Sequence, residues 1–152
     1  MVTDLAALEE LRQSWRTVRT TQAMIRTNTA PFIFSMVPAV TGFARVPESL
    51  LLVFGLSVLE DALRSICDQG AFSSKSKQLG PLMGASRQVV PWRTFEEVDR
   101  VRERRNRIAH DREFLAAGQC DRDLDCIARE LIAWGVLEHD YAGTYTVEFR
   151  PS

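Results

Sequence analysis

The run Leu50-Leu51-Leu52-Val53-Phe54-Gly55-Leu56-Ser57-Val58-Leu59 constrains this chain more than any other part of it, because so many large apolar side chains in a row have to be covered. Pro47-Glu48-Ser49 opens a helix there, proline being suited to a first turn. The apolar spacing continues through Leu63 and Ile66 and stops near Gly70. With apolar residues on nearly every face of its first half, this predicts a central, buried helix that the remaining elements must wrap. It is too short for a membrane span, since Gly55 and Ser57 interrupt it and Glu60, Asp61 and Arg64 follow. Glu60 either sits at the helix rim or meets an arginine from elsewhere, since a covered carboxylate needs a partner.

A length of 152 residues, 45% hydrophobic and 26% charged, suits one globular domain with a full core. The start, Met1-Val2-Thr3-Asp4, has neither the basic nor the apolar region of a signal peptide. Cysteines 67, 120 and 126 are odd in number and lack Cys-x-x-Cys spacing, which predicts reduced thiols in a cytoplasmic protein and no structural zinc.

Three further helices are expected around the central one. Leu8, Leu11, Trp15, Val18 and Ile25, with Gln22 filling the gap, repeat at three-and-four spacing and predict a helix from Thr3 or Asp4 to about Thr27. Its other face carries Arg12, Arg16, Arg19 and Arg26, either solvated or available to a polyanion. Residues 30–46 mix Pro31, Pro38, Gly42 and Pro47 with Phe32, Ile33, Phe34, Met36, Val37, Val40 and Phe43, so this connector is a core lid or a partner surface. Residues 71–93 read as a loop with a short helix over 78–89, and Lys75, Lys77 and Arg87 form either a basic flap or an ordinary connection. Leu124, Ile127, Leu131 and Trp134 mark a closing helix from about Asp121, capped by Asp121 or Asp123 and stopped by Gly135. Val136 to His139 and Thr144 to Phe149 read as the arms of a short hairpin, with His139 idle on a strand end. The class is therefore all-α, about four main helices in residues 1–135, with residues 136–152 as a short β-hairpin tail of the same domain.

The remaining helix carries the chemistry. Thr94 is its cap with Glu97 at the capping-box position, and Phe95, Val98, Val101 and Ile108 trace its packed stripe. Arg105 falls on that stripe, where an apolar residue is expected, and an arginine there must be paired or line a cleft. Near its end the helix reads Arg104-Arg105-Asn106-Arg107-Ile108-Ala109-His110, holding one of only two histidines in the chain. A guanidinium grips phosphate with a fork of donors, and a histidine can move a proton near neutral pH. At about 100° per residue, Asn106 and His110 lie ~40° apart and Arg105 and His110 ~140° apart. One helix aims both poorly at a single phosphate, whereas two copies about a two-fold axis could share a cleft. Net charge is −1, so any contact to nucleic acid must be local, and Arg102, Arg104 and Arg107 provide the dense patch.

Arg105-Asn106-x-x-x-His110 resembles the R-x4–6-H signature of the HEPN family, the higher eukaryote and prokaryote nucleotide-binding domains, in its Arg-polar form. The order of helices over roughly residues 5–135 agrees with it. The resemblance implies an antiparallel helical bundle that homodimerises over one basic cleft, in many members a metal-independent endoribonuclease of toxin or defence type. Others in that family are noncatalytic binding modules. On this sequence Arg105 would grip phosphate, Asn106 would position it and His110 would be the acid–base residue, with RNA as partner, no metal or cofactor, and an antitoxin, of nucleotidyltransferase type or other, as a possible partner. Arg104 satisfies R-x5-H spacing, leaving open which arginine points inward. Without that resemblance, the same residues read as a helix C-terminus tied down by His, Arg and Asn, and the 31–46 segment becomes the working surface of a helical interaction protein.

Overall fold

The computed structural model describes residues 2–35, 45–111, 113–116 and 118–141, with side chains from 28 to 35 excepted. It is all-helical there: α1 (Leu5–Ser35), α2 (Val46–Asp68), α3 (Leu79–Ser86), α4 (Phe95–Asp111) and α5 (Gln119–Ala133). The eight-residue α3 accounts for the difference from the four helices expected, and it falls inside the 78–89 stretch that the sequence marks. Helix α2 touches each of the other four, as its composition requires. Leu52, Leu56, Leu59, Leu63 and Ile66, spaced by three or four, are fully buried along it. Each such side chain contributes about 1.5–3 kcal/mol by leaving water. At Gly55 a Cβ would stand 2.6 Å from Leu124 Cδ2, so the missing side chain sets how closely α2 and α5 approach. The burial is not all-round, because Leu50 and Phe54, one turn apart, face outward. No described helix is long and apolar enough to cross a membrane.

Helix α1 runs on past Thr27 to Ser35, through Pro31. The remainder of the expected apolar connector, residues 36–44, lies outside the described residues. Trp15 and Val18 are fully buried, and so is the stripe of α5 through Leu124, Ile127, Leu131 and Trp134. Gly135, at φ 72°, ends α5, and the Val136 N–H turns back to donate to the Leu131 carbonyl at 2.9 Å. That reversal overturns the first arm of the hairpin. Val136 and Leu137 are drawn into the core through an irregular bend, not laid out as a strand, and residues 142–152 lie outside the described residues.

Both helix caps differ from the expected ones. Thr94 Oγ1 donates to Glu130 Oε1 at 2.8 Å, and the same fully buried carboxylate accepts the Arg93 and Thr94 N–H groups at 2.9 and 2.6 Å. A carboxylate of α5 thus stands where a capping box would stand, and Glu97 turns instead to Arg129. Helix α5 starts after Gly118, at φ 70° and without a side-chain cap, two residues before Asp121. In the 71–94 connection Lys77 is held by Asp68, and Arg87 by Glu96 and over the Phe95 ring at 4.6 Å. Two of the three cations of the supposed flap are therefore anchored.

Candidate functional site

Helix α4 carries five arginines between positions 100 and 107, and their surroundings separate them. Arg102 Nε reaches Asp99 Oδ1 at 2.8 Å, one turn back on the same helix. Arg107 Nε is 3.2 Å from Glu113 Oε2, just beyond the helix end. Arg104 makes a two-pronged contact across to α5, Nε to Asp123 Oδ2 at 2.9 Å and Nη2 to Oδ1 of the same carboxylate. Asp123 is 2% exposed, so this fork is tight and its geometry fixed. Gln119 Nε2 donates to Asp123 as well, at 2.8 Å.

Arg105 is different. It is partly buried on the packed stripe, and its one described hydrogen bond is Nη1 to Asn106 Oδ1 at 3.3 Å. Among the described residues no carboxylate pairs with it. Arg104 is therefore committed to the frame; of the two α4 arginines without a described carboxylate, Arg100 is exposed and Arg105 is the partly buried one that breaks the stripe. His110 stands exposed in the last turn of α4, and its ring contacts no described polar group. Asn106 touches Arg105 directly, and on a regular α4 His110 follows one turn after Asn106 on nearly the same face but lies ~140° round the helix from Arg105. A phosphate approaching Arg102, Arg104 or Arg107 would have to displace a carboxylate in each case.

Glu60 does not join the site. Its carboxylate pairs with Arg64, one turn along α2, and Arg64 also reaches Asp61 at 2.9 Å and the Lys77 carbonyl at 2.9 Å. The nearest guanidinium lies on its own helix, so nothing draws it to α4.

The polar features that the sequence reading missed lie on the other side of α5. Arg19 is 2% exposed. It donates to both oxygens of Asp140, to Asp125 Oδ1 at 2.8 Å and to Gln22 Oε1 at 2.8 Å. Arg12 holds Glu138 and the Val136 carbonyl, and Arg26 and Gln22 hold Asp121. The basic face of α1 is thus clamped onto α5 and the chain after it. The signal was angular, since Arg19 lies about 40° from Trp15 around the helix and so on the flank of the packed stripe.

The three cysteines are free and buried. Burial pushes the Cys120 thiol up to about 12, helped by the nearby Glu48, and it donates to the Glu48 carbonyl at 3.3 Å. Cys126 is raised too, chiefly by burial, against the lowering effect of its contact with Thr94. Neither is built as a nucleophile, because the reactive form of a cysteine is the thiolate. Among the described residues no three His, Cys, Asp or Glu side chains gather where they could hold a metal ion. Compared with protein-family models, with curated proteins and with solved structures, the chain matches none of them.

Proposed function

We propose that the chain is a metal-independent endoribonuclease of toxin or defence type that works as a two-fold dimer, with Arg105 and His110 as its reacting groups. The observation that carries this reading is Arg105: alone among the arginines of α4 it is partly buried and yet has no described carboxylate. A covered guanidinium without an anion is costly, and a phosphate supplied by substrate relieves that cost. In the reaction the 2′-oxygen of RNA forms a bond to the adjacent phosphorus, and the bond from phosphorus to the 5′-oxygen breaks. The 2′-hydroxyl gives its proton to a base and the departing 5′-oxygen takes one from an acid, roles that the two His110 rings of a dimer would divide. Arg105 would stabilise the charge gathering on the non-bridging oxygens, and Asn106 would hold Arg105 through the 3.3 Å contact. Products are a 2′,3′-cyclic phosphate and a 5′-hydroxyl, and DNA, without the 2′-hydroxyl, is inert.

The test is RNA cleavage in EDTA by wild type and His110→Ala. Loss of about 10²–10⁴ in rate in the variant is expected. Wild-type inertness on varied RNAs, or unchanged cutting by the variant, overturns the assignment. One observation favours a second reading, a noncatalytic module that binds nucleotide, RNA or a protein such as an antitoxin on this face. No described group bonds His110 to fix its tautomer, as acid–base histidines commonly require. Retention of RNA without cleavage, sensitive to Arg105→Ala, would select it.

A further inference from the structure

Between α4 and α5 runs an open groove of about 640 Å³, on the side of α4 turned away from His110, with Val101 and Cys126 among its lining. Three carboxylates line it, Glu97, Asp123 and Asp125, and each is already matched to a guanidinium. Arg129 Nη2 is 3.4 Å from Glu97, Arg104 forks onto Asp123, and Arg19 reaches Asp125 at 2.8 Å from α1. Two further guanidinium groups line the same groove. Arg122, on α5, is met only by the neutral amide of Gln119, at 2.8 Å, and Arg100, on α4, is exposed with no described partner. Arg19 being shared with Asp140, the four guanidinium groups of the lining exceed its three carboxylates by one, and the two arginines without a described carboxylate stand one on each wall.

We infer that this groove binds a phosphomonoester group, an anion that Arg100 and Arg122, the two lining arginines without a described carboxylate, would meet from facing helices. The volume lies within the range of small-molecule sites, about 300–1,000 Å³, and leaves room for a nucleoside attached to the phosphate. Bound there, the ligand would add a further tie between α4 and α5 beside the Arg104–Asp123 and Glu97–Arg129 pairs. The site is independent of the ribonuclease reading, because neither Arg105 nor His110 lines it.

Titration of the full chain with inorganic phosphate and with AMP, at constant ionic strength and with chloride as the control, tests this by calorimetry. Saturable binding with a dissociation constant below about 1 mM is expected for at least one of them. Tighter binding of AMP would assign a nucleotide, and equal affinities would assign phosphate alone. The pair Arg100→Gln and Arg122→Gln, both surface changes, should weaken binding by about tenfold or more while the unliganded melting temperature stays put. Arg105→Ala should bind as wild type does. Absence of saturable binding to either probe, or an unchanged constant in the double variant, overturns the proposal.

Discussion

At the junction of α1 and α5, Arg19 is sealed from solvent and shares its donors among Asp140, Asp125 and Gln22. At the C-terminal half of α4, Arg105 is also turned toward the packed side of its helix, but it meets only the amide oxygen of Asn106. The two arginines are chemically identical, and their surroundings differ in whether a carboxylate among the described residues meets them. A guanidinium that is itself enclosed fixes the frame, because it was desolvated during folding and cannot give up its anions cheaply. One that is partly covered and has no described anion is, on the proposed reading, the one whose donors a ligand would take. The contrast makes a stability phenotype and a binding phenotype separable by residue.

Arg19→Ala should have the largest effect. It leaves Asp140 facing Trp15 Nε1 alone and strips Gln22 of its acceptor role, so urea denaturation should show a loss of about 3–5 kcal/mol, enough to unfold many domains of this size. A loss below about 1 kcal/mol would mean that the buried network is slack and the contrast false.

Arg105→Ala and His110→Ala should invert that pattern. RNA cleavage should fall by about 10²-fold or more in each, while the unfolding free energy stays within about 0.5 kcal/mol of wild type. Arg104→Ala supplies the sharpest control, since it neighbours Arg105 and leaves the buried Asp123 with only Gln119. It should lose about 1.5–3 kcal/mol of stability. Should Arg104→Ala be silent in denaturation while Arg105→Ala unfolds the chain, the two roles are exchanged.

The same contrast explains what could be read from the sequence. The stripes of α2 and α5 were legible because apolar periodicity is local: Leu52, Leu56, Leu59 and Leu63, then Leu124, Ile127 and Leu131, declare their burial within a few turns. Polar partnership is not local. Asp140 lies 121 residues from Arg19, and Glu130 lies 36 from the Thr94 whose N–H and hydroxyl it accepts, so neither pairing leaves a mark in any window. Two polar residues did interrupt apolar stripes, Gln22 and Arg105. Gln22 proved to be satisfied inside, by Arg19 and Asp121, and Arg105 did not. An interruption marks a position where something must compensate, but only coordinates tell whether the protein itself supplies it. The first arm of the expected hairpin fails for a similar reason, because Val136 and Leu137 are as apolar as a strand needs, yet the turn at Gly135 sends them into the core.

The smallest effect concerns the α2 end of the frame, where a carboxylate has no enclosed guanidinium of its own. Burial raises the Glu48 pKa above its ordinary 4.5, the nearby Asp121 adds to this, and Arg45 and Arg26 offset it only in part. A carboxyl whose pKa is higher folded than unfolded binds more protons in the native state, so it lowers stability as pH rises through the folded value. Glu48→Gln should therefore stabilise the chain slightly, by less than about 1 kcal/mol, at neutral pH. The gain should vanish below the unfolded value of 4.5, where both forms are neutral. Matched urea curves for the two proteins at pH 7 and pH 4 measure it. If Glu48→Gln instead destabilises at pH 7, Arg26 or Arg45 is holding that carboxylate as firmly as Arg19 holds Asp140, and the frame's charge pairing extends to α2.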